Sequence, residues 1–372
     1  MQVNELPELS QLVLCASFIL SVLFGAIAQR THFCTMGAIS DVVNMKDWTR
    51  MRQWGLAAGV AMIGYALLAF SGQIDPSKAV YASGKWLWLS AIVGGSLFGF
   101  GMVLASGCGS KTLVRIGGGN LKSLVVMIVM SVAGFATLKG VAAVLRVATV
   151  DQITVDFSIN ATVGNGVASM LGMTPLLAGL LAAVILGGSL IIWALSGRDF
   201  NRADNLLAGL GLGLVVVAMW WVSGQLGHIA EHPETLDEVF LTTNSGKMEA
   251  MSFVAPMAYT LDWLILFSDK SKVLTFSVAS VLGVIVGSAT SAIVNKTFRW
   301  EGFNGGAEDL ANHLAGAVLM GVGGVTAMGC TVGQGLSGIS TLHATSFIAV
   351  IAIMAGAMVG LKYQIWRLER VA

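Results

Sequence analysis

The chain has 372 residues, of which 55% are hydrophobic and 11% charged. A soluble domain carries about 25% charged residues, so this composition, with a mean hydropathy of +0.79, excludes a soluble globular class and leaves an all-α polytopic membrane protein. The formal net charge of +1 gives no basic face for nucleic acid.

Residues 1–10 contain no Lys or Arg, and the apolar run that follows is too long for the core of a cleavable signal. The first run is therefore expected to stay as a membrane helix. Apolar runs of spanning length lie near 10–29, 53–71, 87–106, 121–138, 175–195, 205–222, 251–268, 273–294, 310–328 and 341–362; about 20 residues are needed to cross. Two loops fix the count. Arg198 and Arg202 mark one cytoplasmic loop, and Lys362, Arg367 and Arg370 mark a cytoplasmic tail. Five runs lie between these markers, where an even number must cross. At least one of them is therefore re-entrant or lies along the surface. The expectation is about nine transmembrane helices plus short re-entrant helices, with the N-terminus outside and the C-terminus cytoplasmic. The loop 150–172, without Lys or Arg, and the acidic loop 224–250, with Glu231, Glu234, Asp237 and Glu238, are expected outside.

Two segments far apart repeat each other. Leu97-Phe-Gly-Phe-Gly-Met-Val-Leu-Ala-Ser-Gly-Cys108 and Leu319-Met-Gly-Val-Gly-Gly-Val-Thr-Ala-Met-Gly-Cys330 share one L-x-G-x-G-x-V-x-A-x-G-C pattern at a constant offset. Thr137-Leu-Lys139 and Gly360-Leu-Lys362 close the matched runs, and Gln29 to Gly37 weakly echoes Asn295 to Gly302. This reads as one membrane domain over 1–372 in two duplicated halves, about 1–195 and 205–372. Duplicated transporters place their sites at the repeat interface.

The four cysteines, Cys15, Cys34, Cys108 and Cys330, show no C-x-x-C spacing, which argues against a thiol-redox motif, a zinc ribbon or an iron–sulfur cluster. No metal and no cofactor is implied. Cys15, mid-run, reads as a buried filler. Cys34, Cys108 and Cys330 each sit where an apolar run gives way to Gly, Ser or Thr. Such a break is tolerated at membrane depth only where it lines protein or a water cavity, and it exposes helix-end N–H groups that favour anions. A thiolate there would repel an anion. A neutral thiol offers a weak donor and a soft, polarisable surface, which suits a sulfur-bearing anion better than phosphate or sulfate. Lys111 and Arg115 either draw an anion to the Gly-Cys loop or snorkel as interface anchors. Gln334 offers its amide to an oxyanion. Glu301, Asp309 and His313 are ionisable groups at a span edge, candidates for proton coupling or for helix capping. His343 reads as a surface residue.

These segments resemble the YeeE/YedE family of bacterial sulfur transporters. The likeness rests on Arg30-Thr-His-Phe-Cys34, on Gly107-Cys108 through Arg115-Ile-Gly-Gly118, and on Gly329-Cys-Thr-Val-Gly-Gln-Gly-Leu336, in that order along nearly the whole chain. The resemblance implies an hourglass-shaped permease of the inner membrane. It implies that thiosulfate or a related sulfur anion passes inward along the three cysteines, with a small cytoplasmic sulfurtransferase-type protein as partner and the lipid bilayer as setting. Lys111, His32 and the long 224–250 loop depart from the family pattern, and some branches are linked to selenium species. Two other classes compete. A membrane thiol oxidoreductase would cycle its cysteines through disulfides. A scaffold would dock a sulfur-carrier enzyme without transport of its own.

Overall fold

The computed structural model describes residues 6–156, 161–198, 200–302 and 306–371. The expected outer segments at residues 1–5 and 157–160 lie outside these. The chain is helical almost throughout. α1 (Leu6–Arg30) leads through a short turn to α2 (Thr35–Ser40), which continues as a π turn over Asp41–Met45. α3 (Thr49–Phe70), α4 (Trp88–Leu104), α5 (Gly109–Gly117) and α6 (Leu121–Lys139) follow. α7 (Val141–Ala148) and α8 (Val163–Leu171) are short, and α9 (Pro175–Leu195) is long. α10 (Ala203–Leu206) and α11 (Leu212–Trp221) form one bent rod with π turns at Leu207–Gly211 and Val222–Leu226. The last elements are α12 (Val254–Ile265), α13 (Phe276–Val294), α14 (Ala307–Thr326), a helical turn over 331–340 and α15 (Ala344–Val371).

Starts and stops follow the sequence. Asn120, Thr162 and Thr275 cap α6, α8 and α13 by accepting from backbone N–H groups three residues on. Pro175 opens α9, where its missing N–H costs nothing. Two pairs of short strands tie the loops on one face. β1 (Lys85–Trp86) pairs antiparallel with β2 (Val155–Asp156), and β3 (His228–Ile229) pairs with β4 (Val239–Phe240).

Eight helices among the described residues are long and apolar enough to cross a bilayer. α14 accounts for the expected run at 310–328. Its first turn carries Glu308 and Asp309, and it packs between α4 and α6. The run at 251–268 is the one that does not cross. Its helix, α12, has 12 residues, about 18 Å at 1.5 Å per residue, against a hydrocarbon core of about 30 Å. Exposed Leu264, Ile265, Leu266 and Phe267 at its end made it read as a span.

Glycines let the central helices touch backbone to backbone. α4 and α14 run antiparallel, with Gly94 against Gly323 and Gly101 against Gly316. A Cβ on Gly101 would stand 2.7 Å from the Gly316 carbonyl oxygen, and one on Gly316 would stand 2.6 Å from that of Gly101. With no hydrophobic drive between helices in lipid, such close packing is what holds them. Gly316→Leu should therefore overpack the centre at a cost of about 1–3 kcal/mol or more. The expected readout is an unfolding midpoint in detergent several degrees lower, or loss of folded protein. Gly166→Ala on α8, where an added Cβ meets nothing within 4 Å, should leave the midpoint unchanged or raise it.

Candidate functional site

Three helix breaks meet in the interior, and each is built the same way. At the end of α4, Ser106 takes a left-handed φ of 56° and the Gly107 N–H donates to the Met102 carbonyl at 2.8 Å. At the end of α14, Met328 takes φ 56° and the Gly329 N–H donates to Gly324 at 2.8 Å. At the end of α1, His32 takes φ 52° and the Phe33 N–H donates to Ala28 at 3.2 Å. Each is a Schellman closure, a left-handed residue followed by a bond back to the last turn. The next residue is a cysteine every time. Cys34, Cys108 and Cys330 each start a new short helix, accepting through their carbonyl oxygens from Ala38, Thr112 and Gln334 at 2.9, 2.9 and 2.8 Å.

The thiols face those new helix starts. Cys34 and Cys330 accept at sulfur from the N–H groups of Gly37 and Gly333, both at 3.4 Å. The Cys108 sulfur lies 3.3 Å from the Ser110 hydroxyl. All three are buried, unlike Cys15, and all four cysteines are free. Cys34 and Cys108 are within side-chain bonding reach of each other. Cys108 also neighbours Thr331, the residue beside Cys330, and the Phe253 backbone approaches the Cys330 sulfur. The three sequence-predicted cysteines thus lie near one another in the interior, in the order Cys34, Cys108, Cys330.

Lys111 and Arg115 occupy successive turns of α5, half-buried, and both fold back over Gly107. Neither makes an ion pair among the described residues. Lys111 lies within electrostatic reach of Cys34, Cys108, Arg115 and Arg50, and Arg50 pairs with Asp41 at 2.9 Å. A cluster of cations therefore stands at the Cys34 end of the line. Gln334 sits differently from expectation. Its amide nitrogen donates to the Ala327 carbonyl at 2.6 Å, so it clasps the end of α14, and it is fully buried.

At the Cys330 end a cavity of about 380 Å³ opens toward the 227–253 loop. Met328 and Gly329 form its floor, and Tyr81, Arg146, Asp151, Glu249 and Tyr259 are among its walls. The Tyr81 hydroxyl donates to the Gly333 carbonyl at 2.6 Å, bracing the Cys330 turn. Neither Tyr81 nor Glu249 stood out in the sequence. Both lie in mixed loops and reach the site only through long-range folding. Thr331 could have been read, since it directly follows Cys330.

The other candidates sit in structural networks. Asp309 pairs with Lys122, and His313 Nδ1 lies 2.8 Å from the Asp309 carbonyl oxygen. The Asn120 amide donates to Glu301 at 2.7 Å. His343 is buried rather than on the surface, with Nε2 3.3 Å from the Ser83 carbonyl, because the β1 loop folds over it. In the acidic loop, Glu238 pairs with Lys78 and lies 2.8 Å from His228 Nε2. The neighbouring Lys78 ammonium and His228 hold its carboxyl below the usual range.

Residues 30–359 match the family described as sulphur transport. The chain is 25% identical over 355 residues to the thiosulfate transporter TsuA of Escherichia coli K12, covering 92% of each chain. It is 27% identical over 344 residues to the thiosulfate transporter TsuA of Spirochaeta thermophila, covering 90% of this chain and 94% of that one. With this match and with eight helices among the described residues long and apolar enough to span, the chain belongs to the sulphur transport family, as a multi-pass membrane transporter and not an enzyme.

Proposed function

We propose that the protein imports thiosulfate, or a closely related inorganic sulfur anion, across the bacterial inner membrane, along a path lined by Cys34, Cys108 and Cys330 as neutral thiols. The observation that carries this reading is the three buried thiols that lie near one another, each at the start of a short helix or helical turn. Each step offers a weak S–H donor and a polarisable sulfur next to exposed N–H groups. Sulfate presents only hard oxygens to such a path, whereas thiosulfate presents a terminal sulfur. Lys111 and Arg115, with Arg50, supply positive potential at one end of the line. That both relatives are thiosulfate transporters by name supports the substrate.

Charge supports the orientation. Arg30, Arg50, Arg52, Arg198 and Arg202 lie on one face, and Glu231, Glu234, Asp237 and Glu238 lie in the loop of the other. The basic face is then cytoplasmic, with the N-terminus outside and the C-terminus inside. Two features support duplicated, inverted halves in one domain: the same left-handed turn before Cys108 and Cys330, and the reciprocal contacts of Gly94 with Gly323 and Gly101 with Gly316 along antiparallel helices. The family resemblance supports a cytoplasmic sulfurtransferase-type acceptor.

Uptake of sulfane-labelled thiosulfate into proteoliposomes tests the reading. Cys108→Ser or Cys330→Ser should keep the fold and lower uptake at least about tenfold, a loss of roughly 1.4 kcal/mol of path stabilisation. Excess sulfate should not compete. Wild-type rates in both variants would sink the thiol path. Separately, wild-type uptake should decline at alkaline pH as thiols ionise, because ionised thiols repel the anion; a flat alkaline profile would contradict neutral thiols.

A further inference from the structure

Glu249 is a carboxylate in the wrong place for an anion path. It lies in the segment that joins β4 to α12, 9% exposed, on the wall of the cavity whose floor is Met328 and Gly329. Its two oxygens accept from the Ser245 N–H at 2.8 Å and from the Ser277 hydroxyl at 3.2 Å. Its own carbonyl holds the Ser223 hydroxyl at 2.5 Å, which fixes the backbone there. No cation pairs with it among the described residues. The one basic residue on the cavity wall is Arg146, and Arg146 is engaged by Asp151 at 3.0 Å.

The charged lining is then one cation and two acids. With Glu249 ionised, the cavity carries a net negative charge toward a divalent anion. With Glu249 protonated, it is neutral, and the Arg146 guanidinium can turn from Asp151 to the anion. The geometry points to Glu249 as a protonation gate: the anion occupies the cavity above Cys330 when this carboxyl is neutral and is excluded when it is ionised. The inference rests on the thiosulfate-transport reading and deepens it by naming a group that sets its pH response.

Every element packed around the carboxyl is consistent with this. The segment after α3 contributes the Tyr81 phenol, which also faces Cys330, and α12 contributes Tyr259. α7 and the turn after it contribute the Arg146–Asp151 pair, and α13 contributes only the Ser277 hydroxyl. Lys247 on the same loop is exposed and unpaired with it. Phenols stay neutral to a pH of about 10. Burial pushes the Glu249 carboxyl up, and its hydrogen bonds to Ser245 and Ser277 only partly offset that. The protonated form therefore persists above the ordinary Glu value of about 4.3 and is lost as pH rises. Anion occupancy should fall with it.

The test uses the full-length protein in proteoliposomes buffered alike on both sides, from pH 5 to 9. Wild-type uptake of labelled thiosulfate should drop about tenfold or more across the titration of the carboxyl, as like charge builds beside the anion. Glu249→Gln should hold the acid-side rate through neutral pH and keep only the alkaline limb that belongs to the thiols. Glu249→Asp should restore a pH-dependent acid limb. A wild-type profile flat below pH 8 would overturn the gate. So would a wild-type profile in Glu249→Gln, or a folded Glu249→Gln inactive at every pH. An infrared difference titration, wild type against Glu249→Gln, reads the carboxyl without any substrate. A protonated C=O band that the variant lacks and that titrates in this window supports the gate, and its absence overturns it. Wild-type protein that takes up no thiosulfate at any pH defeats the transport reading alone, and the infrared result then decides the gate.

Discussion

The backbone cannot break inside a membrane without finding partners for the groups it frees, and three such breaks organise this protein. Each is closed by a left-handed residue and a bond back to the previous turn, at Phe33, Gly107 and Gly329. That closure satisfies the carbonyl end of one helix and leaves the N–H end of the next facing inward. The cysteine that follows is the residue those N–H groups meet, at 3.4 Å for Cys34 and Cys330. The thiol is small enough to sit at a buried turn and polar enough to accept there. Packing and chemistry are thus served by the same atom. A larger polar group would not fit, and an apolar one would leave the N–H groups bare.

The breaks are useful only because they are held together, and glycine does that. The α4–α14 contact brings two carbonyl-lined helix faces to van der Waals distance at Gly94, Gly101, Gly316 and Gly323. The turns that leave these helices carry Cys108 and Cys330, so the helix separation fixes how near the two cysteine turns lie. Gly117 and Gly119 set the far end of α5 against α13 and the Arg299 segment in the same manner. The bent rod of α10 and α11 adds adaptability, since its π turns fall where Gly209 and Gly224 admit Leu56 and Met248. A centre this tight leaves no room for a wide aqueous pore among the described residues.

Much of this was legible in the sequence, for physical reasons. A repeated apolar run ending in Gly-Cys is a local signal, and local signals survive folding. The helical class, the helix break before each of the three cysteines and the surplus apolar run were all readable for that reason. The identity of that surplus run was not. α12 is as apolar as a span because its exposed end, Leu264 to Phe267, faces lipid, and hydropathy does not separate a short lipid-facing helix from a crossing one. The partner that the Gln334 amide nitrogen takes, the Ala327 carbonyl, was not legible, because it comes from the end of the preceding helix. His343 was taken for surface because the strand that buries it begins near Ser83. Glu249 was hidden among the other acids of its loop. Glu238 in that loop is paired and solvent-facing, while Glu249 is buried and unpaired, and only the fold distinguishes them.

The two ends of the thiol line are electrostatically opposite, and the contrast bears on how an anion can leave as well as enter. Lys111 and Arg115 stand unpaired at the Cys34 end, while the Cys330 end offers one engaged arginine and two acids. A site built only from fixed cations would bind a divalent anion and keep it, because conduction needs binding strong enough to admit an ion and weak enough to release it. Neutral thiols meet that condition. On the proposed path each S–H contact is weak, and three in series would let an anion exchange one for the next without a deep well between them. In that proposal the cations would act from beside the thiols, through the field, while the sulfurs make the contacts. If the proposed path holds, its softness is a kinetic requirement as much as a basis for selectivity, and cysteine suits it better than serine, whose harder hydroxyl would hold sulfate as readily.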